Sequence, residues 1–236
     1  NTAGCSNTAI GCMALKTNTT GINNVAIGYT ALCGNTAGIN NVAFGCQALK
    51  TNTVGSDNFA AGYCSLFSNV SGMGNTAIGP GTLKSNATGV GNIAIGCCAL
   101  CSSSGGNNNV SLGALSMVLN TTGSCNIAIG LGTLYNNRTG GLNIALGVNS
   151  LYYNTSGSCN IAIGAAALGC NTYGCNNLAL GVSALCLNIT GSSNIALGNF
   201  ALRCNTCGSY NFAAGSCALN SNSTGCNNIA VGFKTM

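Results

Sequence analysis

The five-residue pattern Asn-x-Ala-x-Gly opens at Asn7 and returns at Asn24, Asn41, Asn58 and onward to Asn228, each step being 17 residues, without insertion or deletion across fourteen copies. Counting that Asn as position 1, Gly holds positions 5 and 15 in every copy. Position 9 is Leu apart from Met117 and the last residue, Met236, and position 12 is Asn apart from Ser103. A period this strict restricts the chain to an architecture of interchangeable units. Helices are excluded, because two glycines and an Asn-rich stretch in every unit would cost about 1 kcal/mol per Gly and break each helix. Short strands with tight corners remain. The sequence therefore predicts an all-β fold, a parallel β-solenoid or β-roll of 17 residues per coil and about 14 coils, running as a single array without caps over residues 1–236.

Within a strand, positions 2 and 4 share one face and position 3 points to the other. Where position 4 shrinks to Ala61 or Ala214, position 2 grows to Phe59 or Phe212. That compensation places positions 2 and 4 in one close-packed core, with Leu15, Leu32, Leu49 and their equivalents at position 9 as the third contributor. Position 3 is Ala in every copy but one, Ser111, and is expected to face away from that core, where small residues admit a second or third copy of the chain. The alternative is a thin coil whose opposite wall needs small residues. Three apolar side chains contribute about 1.5–3 kcal/mol each, whereas ordering one coil costs roughly 1–2 kcal/mol per residue. No coil stands alone. Stacking at about 4.8 Å pairs the backbones, aligns Asn side chains into amide ladders, and would give a rod of roughly 65–70 Å.

Composition narrows the chemistry. The chain has no His and a single acid, Asp57, so no paired carboxylates, Ser-His-Asp triad or Cys-His dyad can form within it, and general acid–base catalysis lacks its usual groups. The expectation is a protein without enzymatic activity and without a cofactor. With 47% hydrophobic and 3% charged residues, a lone compact chain would expose an apolar surface that soluble domains avoid. The net charge of +5 reflects missing acids. Lys16, Lys50 and Lys84 recur every second coil as a sparse row, read as a solvated surface rather than a phosphate track, so no nucleic-acid partner is expected. Gly or Asn interrupts every apolar run, which predicts no membrane insertion.

Asn23-Asn24-Val25-Ala26-Ile27-Gly28 resembles the Asn-Ser-Val-Ala-Ile-Gly motif of trimeric autotransporter adhesin heads. The longer unit, with Ala31-Leu32 and Asn35-Thr36-Ala37-Gly38, is similar to 17-residue repeats of phage and large-virus tail fibres and bacterial surface proteins. The resemblance covers essentially the whole chain. It implies a left-handed, trimeric β-roll, with the equivalents of Val25 and Ile27 filling each roll and those of Ala26 near the trimer axis. The numerous cysteines, 17 in all, depart from those adhesins.

The cysteines fall outside the predicted core rows, at corner or surface positions, and so many thiols favour an oxidising, extracellular setting on a virion or cell surface. Four pairs lie one coil apart and one column over: Cys46 with Cys64, Cys159 with Cys175, Cys170 with Cys186, and Cys186 with Cys204. These are the candidate disulfides, and the last two exclude each other. Cys98-x-x-Cys101 and Cys204-x-x-Cys207 have zinc-like spacing but are predicted to lie too far apart to share one ion, so no metal is expected. Asn18, Asn69, Asn86, Asn120, Asn137, Asn154, Asn188 and Asn222 at position 12 head Asn-x-Ser/Thr sequons, with Asn109 a ninth at position 1. They are candidate glycosylation sites if position 12 lies on an outer corner; the competing expectation is a buried turn or ladder.

The function expected is that of a non-enzymatic extracellular structural fibre segment, a rigid disulfide-stapled rod in a tail fibre, adhesin or surface filament. The alternative is a carbohydrate- or surface-binding module using Asn, Thr and Tyr of the solenoid face, with an ice-binding solenoid behind it. The expected partner is a further copy of the chain, as a trimer or an end-to-end filament, with a cell-surface or glycan receptor beyond. Asn1 starts at position 12 and Met236 ends at position 9, which reads as a window onto a longer array or as protomers stacking end to end.

Overall fold

The computed structural model describes residues 2–236 and is all-β. Asn1, expected at position 12 of an incomplete coil, lies outside the described residues. The chain falls into two compact units, Asn1–Thr122 and Gly123–Met236. The first carries β1 (Thr8–Ile10), β2 (Val25–Ile27), β3 (Val42–Phe44), β4 (Phe59–Ala61), β5 (Thr76–Ile78), β6 (Ile93–Ile95) and β7 (Val110–Leu112). The second carries β8 (Ile127–Ile129), β9 (Ile144–Leu146), β10 (Ile161–Ile163), β11 (Leu178–Leu180), β12 (Ile195–Leu197), β13 (Phe212–Ala214) and β14 (Ile229–Val231). Inside each unit successive strands pair in parallel at a shift of one repeat, so Ala9 lies beside Ala26 and Ala26 beside Ala43, and Ala162 beside Ala179. This is the predicted parallel β-solenoid. No helix among the described residues is long and apolar enough to cross a membrane.

The interior differs from the sequence expectation. Ala26, Ala43, Ala94 and Ala162 at position 3 are wholly buried, whereas Ile95 and Ile163 at position 4 are 39% and 40% exposed. Position 3 therefore faces the inside of each coil, and positions 2 and 4 face outwards. The physical reason is the thinness of a 17-residue coil. Buried leucines at position 9, such as Leu32, Leu100 and Leu168, fill the interior, and only an alanine fits opposite them without overpacking. Position 8 obeys the same limit with Ala31, Ser65 or Thr82. Its hydroxyls donate back to the position 5 carbonyl, as Ser65 does to Gly62 at 3.0 Å. Ser111, the one exception at position 3, shares a 2.5 Å hydrogen bond with Ser116 at position 8, so the polar pair satisfies itself.

Two amide ladders share the interior. At position 1, Asn41 Nδ2 donates to Asn24 Oδ1 at 3.1 Å and to the Gly55 carbonyl at 2.8 Å. At position 12, Asn52 Nδ2 donates to Asn35 Oδ1 at 2.8 Å and to the same Gly55 carbonyl at 2.9 Å. The position 15 glycine is thus clasped by both amides. A Cβ on Gly55 would sit 2.5 Å from the Gly72 oxygen and 2.6 Å from Asn69 Nδ2. Position 5 is glycine for a second reason as well, since Gly28 has φ +134°.

Corners are also turned by residues with side chains in the left-handed region. Thr30, Leu32 and Asn40 have φ of 53°, 48° and 55°, and their equivalents at positions 7, 9 and 17 recur along the chain. A left-handed leucine costs about 1–2 kcal/mol, and full burial of the side chain offsets it.

Ser103 interrupts the position 12 ladder: its Oγ and the Oδ1 of Asn86 below it are buried without a hydrogen-bond partner. Restoring the amide with Ser103→Asn is expected to stabilise the first unit by roughly 1–3 kcal/mol, read as a higher urea midpoint at unchanged slope. An unchanged or lower midpoint would show that the site has relaxed around serine.

Candidate interaction face and thiol clusters

The outward rows at positions 2 and 4 form the candidate interaction face. They are aliphatic or aromatic in nearly every coil, and they retain the volume compensation that the sequence displays, now on an outer surface. Phe44 of β3 and Phe59 of β4 meet edge to face at 6.4 Å between ring centroids, with Phe44 paired beside Ala61 of the following coil. An isolated solenoid gains nothing from matching volumes on a face turned to water, whereas a face packed against another surface does.

The candidate disulfide pairs separate under the geometry. The Cys64 N–H donates to the Cys46 carbonyl at 3.0 Å, but the buried Cys64 thiol donates to Gln47 Oε1 at 3.2 Å. The Cys64 thiol beside it is the first cause, ahead of burial and the more distant Cys46, that pushes the Tyr63 hydroxyl up from its ordinary range. The Cys175 thiol accepts from the Ser158 N–H at 3.4 Å and donates to the Tyr173 carbonyl at 3.4 Å, while Cys159 is exposed on the adjoining corner. Cys204 donates to Asn220 Oδ1 of the following coil at 3.7 Å. Cys170 and Cys186 are brought together: the Cys170 N–H donates to the Cys186 carbonyl at 2.8 Å, and the neighbouring Cys170 thiol adds to the upward shift of Cys186 that burial causes. All the cysteines are free thiols in this structure.

Cys97 and Cys98 are neighbours with sulfurs 3.5 Å apart. Burial first, and then the Cys97 thiol, push Cys98 up from its ordinary range; burial also raises Cys101, against the nearby charge of Lys84. No group of three His, Cys, Asp or Glu side chains converges to hold a metal ion among the described residues. The resolved thiol shifts, at Cys98, Cys101 and Cys186, are all upward, which disfavours the nucleophilic thiolate at those three sulfurs.

The sequon asparagines do not lie on an outer corner. Asn18, Asn69, Asn86, Asn120, Asn137, Asn154 and Asn188 are at most 1% exposed, and Asn109 is wholly buried. Asn222 is part-buried in the same ladder, donating to Asn205 Oδ1 at 3.2 Å. The expectation of glycans in rows is corrected on this ground: a glycosylated amide nitrogen would have to leave the ladder and the interior. Position 13 threonines are likewise engaged, as Thr19 Oγ1 donates to the Thr36 carbonyl at 2.8 Å.

The seven tyrosines do not share one column, but two pairs do, Tyr29 with Tyr63 at position 6 and Tyr135 with Tyr152 at position 10, and only the second pair lies in adjacent coils. Tyr135 and Tyr152, both at position 10, stack at 5.1 Å, and Tyr153 meets Tyr152 edge-on at 4.8 Å. In the lysine row, Lys50 Nζ lies 5.2 Å from the centre of the Phe67 ring and Lys16 Nζ lies 4.0 Å from Met13 Sδ. No protein-family model and no curated protein matches the chain.

Proposed function

We propose that the chain is a non-enzymatic, extracellular structural segment of a fibre, akin to the adhesin heads and tail fibres its motif resembles, assembled with further copies of itself through the apolar outer rows. The observation that carries the reading is the volume-matched outer face, where Phe59 rises beside Ala61 and Phe44 packs on Phe59. Contiguous apolar patches of more than a few hundred Å² on soluble proteins mark interaction sites. Three copies are favoured by the resemblance. Light scattering of the purified segment at micromolar concentration is expected to give a trimer or a larger assembly. Ile163→Lys, on that face, is expected to weaken association more than about tenfold, equivalent to about 1.4 kcal/mol, with unchanged circular dichroism. A monodisperse wild-type monomer would overturn the proposal.

A second reading, a carbohydrate- or surface-binding module, is favoured by the stack of Tyr135, Tyr152 and Tyr153, since exposed aromatic faces present flat apolar surface beside a polar tip. Glycan-array signal lost on Tyr153→Ala would support it; an array without signal would remove it.

A further inference from the structure

Three features meet around Cys186. The first is its partner: the Cys186 carbonyl accepts the Cys170 N–H at 2.8 Å, which ties the two residues together across neighbouring coils. The second is a gap. Residue 169, directly below Cys186 in the same column, is glycine, whereas that column elsewhere carries Lys50, Phe67, Tyr135 and Tyr152. The Cys186 sulfur lies only 3.7 Å from where a Gly169 Cβ would be. It therefore leans down over the bare backbone, towards Cys170. The third is the competing thiol: Cys204, above, turns upward to Asn220 and away from Cys186. The sequence leaves Cys186 with two mutually exclusive partners, and the geometry chooses one.

We propose that Cys170 and Cys186 form a reversible cross-coil disulfide, a redox-set latch between the coil beginning at Asn160 and the coil beginning at Asn177. The oxidant is a low-molecular-weight disulfide, RSSR, such as oxidised glutathione. The Cys170 thiolate attacks one sulfur of RSSR; a protein–SR bond forms, the RS–SR bond breaks and one RS⁻ leaves. The Cys186 thiolate then attacks the Cys170 sulfur, forming the Cys170–Cys186 bond and expelling the second RS⁻. The two cysteine protons end on the two RSH released, so two protein thiols are oxidised as one RSSR is reduced. Burial raises the Cys186 thiol from its ordinary range, the neighbouring Cys170 adds to this, and the Arg203 charge opposes it. Closure is accordingly slow in neutral solution and faster in alkali. The latch does not depend on assembly into a fibre, because both thiols belong to one chain and one unit.

The test is carried out on the whole chain, at a dilution that disfavours links between molecules. The chain is treated with oxidised glutathione at about pH 8.5, close to the ordinary thiol pKa, then blocked with N-ethylmaleimide, digested and mapped by mass spectrometry. The expected result is a Cys170–Cys186 cross-link that appears before, and at least about tenfold above, any Cys186–Cys204 link. Hydrogen exchange at the Cys170 amide should slow in the oxidised form. Gly169→Phe places in the gap a side chain that Phe67 shows the column accepts, and should suppress the link with the circular dichroism unchanged. Cys186→Ser should leave Cys170 carrying a stable mixed disulfide with glutathione. A dominant Cys186–Cys204 link, or Cys170 and Cys186 both still free when other thiols have oxidised, would overturn the proposal. So would a Gly169→Phe chain that remains folded and links as fast as wild type.

Discussion

Replacing Gly96 by alanine is expected to abolish cooperative folding of the first unit. Gly96 holds φ +128°, outside the range an L side chain readily adopts, and an added Cβ would lie 2.6 Å from the Gly113 carbonyl carbon and 2.7 Å from its oxygen. Those are backbone atoms of the next coil, held by the ladder, and cannot rotate aside. Backbone strain of about 1–3 kcal/mol adds to overpacking of similar size. The sum is a large fraction of what a domain has in reserve. Gly105→Ala is the matched control. Gly105 stands at position 14, where other coils carry Ala37, Thr20 or Tyr173, and its Cβ would find only Thr88 Oγ1 at 3.4 Å. It should shift stability by no more than about 0.5 kcal/mol. Thermal and urea denaturation of the two variants provide the comparison, and equal behaviour would show that coils can part at position 5 to admit a methyl group.

The second large effect is expected at Asn171. Its amide donates to Asn154 Oδ1 at 2.9 Å and to the Gly174 carbonyl at 3.0 Å, and its oxygen accepts from Asn188 Nδ2 at 2.8 Å. Asn171→Ala removes all three bonds inside a wholly buried row. The Gly174 carbonyl keeps Asn160 as a donor at 2.8 Å, so the main penalty falls on Asn154 and Asn188. Leaving two buried polar groups short of partners costs about 1–3 kcal/mol each. A loss of about 3 kcal/mol in the urea-derived stability of the second unit is the expected result. A loss below about 1 kcal/mol would mean that the ladder orders the interior without stabilising it.

The period, the strands and the stacking were legible in the sequence because 17-residue recurrence admits few other architectures. Which side of the strand faces inward was not. Large residues at positions 2 and 4 and the Phe59/Ala61 exchange look like a core by volume alone, and the same signature arises wherever two surfaces pack, inside a chain or between chains. A better signal lay in variability: position 3 admits only Ala and Ser, whereas position 2 runs through Thr76, Val25, Phe59, Ile93 and Leu178. A narrow interior constrains size more tightly than an outer face does. The left-handed leucines were invisible for a different reason. Propensity assigns that conformation to glycine, and here it is imposed on Leu32 and its equivalents by the turn that brings them inside. Of the thiols, spacing identified the diagonal pairs, but only side-chain direction distinguished Cys170 from Cys204 as the neighbour of Cys186.

Each coil meets the next through contacts one repeat apart, as between Asn24 and Asn41 or Asn143 and Asn160. A tandem genetic tract encoding such a unit can gain or lose a whole coil by slipped replication or unequal recombination without turning any side chain from inside to outside. An indel that is not a multiple of 17 residues shifts the register and breaks both ladders where it falls. The array can therefore lengthen in quantised increments of about 4.8 Å per coil while its pattern of inner and outer faces is kept, and Ser103, the one departure from Asn at position 12, sets its own coil apart from the rest.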